Sequence, residues 1–340
     1  MPSTAKPLII FSHGNSFPAS TYGVLFQSLK ARGFQVKAIE KFGHDPRYPV
    51  TSNWPHLVQQ LADFSAKEVE KCGQPAFLVG HSLGGFLSLM CAAEHPVLGG
   101  LPVRGVLLID SPILGGWRAT ALSVAKRAQL VGSISPGAIS RKRRQQWLGR
   151  DEVLAHFRSK KAFARWDEQV LCDYIEHGTH DATGQRLLSF DRDVETAIYN
   201  TLPDNLERLL KLHPPKFPIA FIGGRQSVEM KQVGMAMTEK VTKGRIMMLD
   251  GSHLFPMEKP LATAAAIEAA VLNFASLGER EKNASSHQPG GASRLTQPRR
   301  PRRSRPSPAP RCQTRCGTRQ KAQSCAWRCS AAASECTARR

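Results

Sequence analysis

The pentapeptide Gly80-His81-Ser82-Leu83-Gly84 sits between two segments of different periodicity. Ala76–Val79 before it is a short apolar run of strand character, and Leu83–Glu94 after it has helical composition. A chain that passes from strand to helix so quickly must turn sharply, and the residues two positions from the centre of the turn must be small. Glycine occupies both places. The turn lifts the Ser82 hydroxyl above the strand end and aims it at the helix amino terminus, where unpaired backbone N–H groups favour developing negative charge. Ser82 is the candidate nucleophile and Leu83 a candidate backbone donor beside it.

The rest of the chain repeats this strand-then-helix rhythm. Candidate strands are 8–12, 35–39, 76–79, 105–109, 219–222 and 245–249; candidate helices are 21–31, 54–71, 83–94 and 261–277. Such alternation predicts an α/β fold, a mostly parallel central sheet with helices on both faces. Pro260 and Gly278 mark the expected ends of the last helix. The rhythm breaks once, between Ile109 and Ile219. An insertion of that length, helical in composition and carrying Trp117, Trp147, Phe157, Phe163 and Trp166, predicts a helical cap. The expected organisation is a core of 1–110 and 214–278, a cap of 111–213, and a tail of 279–340.

The tail differs from the body in composition. Of a formal charge of +20, the 62 residues from Glu279 onward hold 15 Lys+Arg against 3 Asp+Glu. The Pro- and Arg-rich segment QPRRPRRSRPSPAPR has no means of burying a core, so a weak, nonspecific nucleic-acid contact is the partner its charge would fit. The body is only moderately basic. Cys72, Cys91 and Cys172 are scattered through it, whereas Cys312, Cys316, Cys325, Cys329 and Cys336 crowd the tail. The scattered body cysteines predict a reducing, cytoplasmic setting. An apolar run of four residues near the amino terminus is too short for a secretion signal, and no stretch reads as a membrane span. No metal-ligand spacing stands out in the body, the Cys pairs of the tail are a weak match to one, and no cofactor is implied.

Two further segments converge on Ser82. Ser12-His13-Gly14-Asn15-Ser16 follows the first strand, where a loop backbone N–H, that of Asn15 or of Ser16, would join Leu83 in an oxyanion hole. Asp250-Gly251-Ser252-His253-Leu254 follows the last strand, which makes His253 the candidate general base.

With these pieces in place, residues 8–278 resemble the α/β-hydrolase superfamily: HG after an early strand, GHSLGG at the turn, a cap, and GSH before the last helix. HGNSFPASTY and YPVTSNWPHL look like a bacterial subgroup of it. The resemblance implies a Ser-acid-His triad under a lid; it leaves the substrate open, and a small-molecule substrate is the expectation. An ester or thioester is expected, with carbon–carbon hydrolysis, acyl transfer or an inactive binding protein as alternatives. The family commonly keeps its acid after the penultimate strand, where this chain reads Gly224-Arg225-Gln226-Ser227-Val228-Glu229. Serine stands in the acid's place. Asp110, at the end of the strand Gly105–Ile109, and Glu229 are the two replacements, with a missing acid as the third outcome. A turn-capping role would be the ordinary use of Asp110. Ser140-Arg141-Lys142-Arg143-Arg144 in the cap reads as a solvated helix face or as a patch for an anionic substrate tail.

Overall fold

The structure, a computed structural model, describes residues 6–115 and 137–286. In chain order the strands are β1 (Leu8–Ser12), β2 (Gln35–Ala38), β3 (Ala76–His81), a hairpin of β4 (Val97–Leu98) and β5 (Leu101–Pro102), β6 (Gly105–Ile109), then β7 (Gln146–Trp147), β8 (Thr179–Ala182) and β9 (Gln185–Leu188), and finally β10 (Ile219–Gly224) and β11 (Ile246–Leu249). Six of them form one sheet in the order β11–β10–β6–β3–β1–β2. Every neighbouring pair in it is parallel.

Period-two alternation decides which layer each side chain joins. Ile9 and Phe11 face a cluster with Leu25 and Leu29 of the helix Gly23–Ala31 and Ile267, Val271 and Phe274 of the helix Pro260–Ser286. Leu8 and Ile10 face the opposite cluster with Leu57 and Leu61 of Pro55–Cys72 and Leu87 of Leu83–Glu94. The helices therefore cover both faces, as the alternating pattern predicts. Strand order reverses beside β1: the chain first steps outward to β2, then returns to place β3 on the other side. Connections leaving two such strands diverge, and a crevice opens at their carboxyl ends. The register aligns Ser12 with Gly80, so the loop after β1 and the turn after β3 rise side by side into that crevice.

Several expectations need correction. The last helix does not stop at Gly278 but runs to Ser286. A glycine inside a helix costs only about 1 kcal/mol, and Glu279 to Lys282 are good helix formers. Its first part, Pro260–Leu277, is long and apolar enough to cross a membrane, contrary to the reading that no stretch is. The alanines of this segment carry the apolarity, and its inward stripe, with Ala264, Ala266 and Ala270, packs into the core. The insertion is more than helical. β7, β9 and β8 make a small antiparallel sheet in it, too short to stand out in the sequence. The basic run is not a helix face either, because the helix Gly137–Ser140 ends where the run begins. Trp117 and all the tail features, its cysteines included, lie outside the described residues.

Candidate active site

Ser82 has φ 53° and ψ −116°, a sparsely populated conformation that costs about 1–3 kcal/mol. The packing around it leaves no room for larger neighbours. A Cβ on Gly80 would lie 2.1 Å from the backbone of Gly84, and one on Gly84 would lie 2.0 Å from the Ser12 carbonyl oxygen. Both glycines of the pentapeptide are thus required by close approach of β1, β3 and the helix Leu83–Glu94. The Ser82 N–H donates to the Ile109 carbonyl at 2.9 Å, which ties the turn to the end of β6.

Three strand ends meet at the Ser82 hydroxyl. His253 Nε2 lies 3.0 Å from Ser82 Oγ, and His253 Nδ1 lies 2.6 Å from Asp110 Oδ2. Asp110 is 1% exposed and occupies the left-handed region, φ 46°. Its Oδ1 accepts from the Gly224 N–H at 2.8 Å and its Oδ2 also accepts from the Ser227 hydroxyl at 2.6 Å. The carboxylate is turned wholly toward the histidine and β10, so it does not cap the Ser111-Pro112 turn. Ser227 itself is held by the Met230 N–H, which donates to its Oγ at 3.2 Å. Ser227, where the sequence leads us to look for an acid, is therefore a hydrogen-bond donor to the Asp110 carboxylate.

Glu229 reaches the same histidine from outside, with Oε2 3.8 Å from His253 Nδ1 and its side chain 46% exposed. At that distance it acts as a charge, not as a hydrogen-bond partner. Burial works to lower the His253 pKa. The hydrogen bond to Asp110, together with the charges of Glu229 and Asp110, outweighs it and holds the pKa above its ordinary value.

The loop after β1 is fixed by the insertion. Ser16, with φ 82°, donates its hydroxyl to Glu195 Oε1 at 2.5 Å, and Asn15 Nδ2 donates to the Glu195 carbonyl at 3.1 Å. Glu195 belongs to the helix Arg192–Asn200 and is paired with Arg143 at 2.9 Å. Among the described residues, none accepts a hydrogen bond from the backbone N–H of Asn15, Ser16 or Leu83. Asn15, Ser16, Ser82 and His253 line one cavity of about 830 Å³.

The sequence profile of the alpha/beta hydrolase family matches residues 9–266 of the chain. The chain belongs to this family. It is similar to the monoglyceride lipase of Rattus norvegicus, 30% identical over 137 residues, which is 39% of this chain and 44% of the relative. It is also similar to the monoglyceride lipase of Homo sapiens, 27% identical over the same shares. The chain thus spans less than half the length of these curated relatives. Among solved structures it is similar to E-2-(acetamidomethylene)succinate hydrolase (21% identity, TM-score 0.57, 77% of this chain and 90% of that one). A peroxisomal α/β-hydrolase of Saccharomyces cerevisiae gives 15% identity and a TM-score of 0.60 over 80% and 77% of the two chains. These identities carry the fold alone.

In this α/β-hydrolase a second hydrogen-bond chain runs behind the first, and the sequence reading missed it. His81 is fully buried; its Nε2 lies 2.9 Å from the His253 carbonyl and its Nδ1 lies 2.7 Å from the Tyr22 hydroxyl. A carbonyl only accepts, so Nε2 carries the proton and Nδ1 accepts from Tyr22. The Tyr22 oxygen in turn accepts from the Gly14 N–H at 2.9 Å. Burial, reinforced by the charge of His253, pushes the His81 pKa down to about 3, so it stays neutral and this one-way chain persists at ordinary pH. It links the β1 loop, the turn at Ser82 and the His253 backbone. Both residues lie in motifs the sequence singles out; only their partners were invisible. The fold also gathers Asp110, Glu229 and His253 within 4.8 Å, a donor set no spacing reveals. The 2.6 Å hydrogen bond between two of its members marks it as an imidazole–carboxylate pair flanked by a second carboxylate.

Proposed function

We propose that this chain is a serine hydrolase that cleaves a small-molecule ester or thioester through an acyl-enzyme. The observation that carries the reading is the pair of hydrogen bonds sharing His253, one to Ser82 and one to buried Asp110. Ser82 Oγ attacks the carbonyl carbon while its proton passes to His253 Nε2. The oxyanion that forms is held by the N–H of Leu83 and by that of Asn15 or Ser16. Collapse expels the alcohol or thiol, which takes the proton back from His253. Water then repeats the sequence on the acyl-enzyme, with His253 again as base. Asp110 keeps the imidazole in the tautomer that leaves Nε2 free to accept, and it stabilises the imidazolium. The monoglyceride lipases among the partial relatives support an ester as the bond cleaved.

Labelling with a fluorophosphonate probe tests the reading. The expected result is one adduct, absent in Ser82→Ala, and a rapid p-nitrophenol burst from p-nitrophenyl acetate. An unlabelled wild-type protein would overturn it.

A further inference from the structure

The cavity at Ser82 does not end at the triad. A second cavity, about 780 Å³, shares Ser16, Phe17, Ala162 and Tyr199 with it as lining and continues under the insertion. The two differ in charge. Around the triad Lys161 and Arg165 are balanced by Glu229 and Glu258. The second cavity presents Lys142, Arg143, Arg144 and Lys160 against Glu195 alone. Glu195 is already taken by Arg143 and Ser16. Arg144 pairs with Glu152, but Lys142 and Lys160 have no carboxylate partner among the described residues. His156 lines the same wall, and its pKa is lowered, first by burial and then by the charges of Lys160, Arg144 and Arg143. Four cations gathered around one partly open cavity, two of them without a carboxylate partner among the described residues, make a site for an anion.

We infer that the substrate carries an anionic group, a carboxylate or a phosphate, at the end remote from the scissile carbonyl, seated between Lys142 and Lys160 while the carbonyl lies at Ser82. This rests on the serine hydrolase reading and narrows its substrate to acidic esters or thioesters. Arg143, locked by Glu195, supplies a fixed positive background, and the two lysines supply the mobile contacts.

The test compares two p-nitrophenyl esters of equal chain length, the neutral valerate and the anionic mono-glutarate. At low salt kcat/KM for the glutarate is expected to exceed that for the valerate by about ten-fold, an advantage that shrinks with added salt. In Lys142→Ala/Lys160→Ala the advantage disappears while valerate hydrolysis is unchanged. Equal rates for the two esters, or a preference that survives in the double variant, would overturn the inference and leave the hydrolase reading intact. If Ser82 is not labelled and neither ester turns over, that reading fails instead. Calorimetric binding of monomethyl glutarate in preference to methyl valerate then still supports the subsite, and no preference overturns it. Competition by butyrate or by propyl phosphate tells which anion it takes, and competition by neither counts against the site.

Discussion

The two walls of the active-site cleft are built differently. On the core side the groups around His253 form a chain with a fixed direction of donation: Gly224 and Ser227 to Asp110, His253 to Asp110, Tyr22 to His81, His81 to the His253 carbonyl. These groups are buried, and the backbone beneath them is strained at Ser82 and Asp110. On the insertion side the cations are long side chains at the surface, such as Lys142 and Lys160. Arg143 is held between Glu195 and the Tyr174 hydroxyl, and Arg144 is paired with Glu152. A pre-set network suits steps that are the same for every substrate, and adaptable charges suit recognition of one part of one substrate. On the proposed reading the core wall carries the chemistry and the insertion wall the choice of substrate.

The difference is open to measurement, beginning with the acid. In Asp110→Asn the amide N–H₂ would favour the opposite imidazole tautomer, with the proton on Nε2 facing Ser82. The expected fall in kcat is about 10⁴-fold, measured with p-nitrophenyl acetate. A fall of less than ten-fold would move the acid's role to Glu229. Packing separates the walls as clearly. Gly84→Ala forces a Cβ to 2.0 Å from the Ser12 oxygen and should lower unfolding free energy by about 3 kcal/mol in urea titration. Gly149→Ala in the insertion, an extended residue with nothing within 4 Å of its Cβ position, should change it by no more than about 0.5 kcal/mol.

The core wall was legible in the sequence residue by residue, whereas the insertion wall showed only as a basic run, 140–144, open to two readings, for a physical reason. Ser82, His253 and the loop at Asn15 and Ser16 sit next to strand ends, and strands announce themselves by apolar runs. Glycine at positions 80 and 84 reports a steric demand that no other residue satisfies. Asp110 was one of two acids open to the sequence, because choosing it needs the length of β6 relative to β10 and the rotation of its side chain. Ser227 read as a loss because its partner is 117 positions away. The insertion has no comparable rhythm. Its strands β7, β8 and β9 span two to four residues each, and its charges become a site only by where the chain folds them.

Buried histidines on the core wall make a further prediction. His13 and His81 are fully buried and held neutral, with pKa values of about 4 and about 3, burial being the main cause in both. In the unfolded chain they take up protons near pH 6.5. Below that pH the unfolded state binds more protons, so stability falls as pH falls, by about 1.4 kcal/mol per pH unit for each histidine. Urea midpoints at pH 7.5 and 5.5 measure this, and a flat profile would show both imidazoles exposed. Tyr22→Phe probes the relay more narrowly. It strands the Gly14 N–H and His81 Nδ1, both buried, and should cost about 1–3 kcal/mol in stability. As a positioning residue for the loop and the base, Tyr22 should also lower kcat about ten-fold at constant KM. A variant with reduced Tm and full kcat would confine Tyr22 to stability.

The smallest effect concerns Glu229, which stands between the two walls. It lies 3.8 Å from His253 and is about half exposed, so water screens it. Its charge nonetheless helps to hold the His253 pKa above the ordinary imidazole value, beside the stronger hydrogen bond that His253 donates to Asp110. Only neutral His253 accepts the Ser82 proton, so a raised pKa moves the acid limb of the kcat/KM profile to higher pH. Removing the charge in Glu229→Gln should shift that limb back toward lower pH by less than about one unit, with the plateau rate unchanged. Added salt should shrink the shift in the wild-type protein, which a direct hydrogen bond would resist. If the limb stays in place, Asp110 alone sets the base. If the plateau falls by orders of magnitude, Glu229 shares the acid's work, and the division between a fixed core wall and an adaptable outer one no longer holds at this residue.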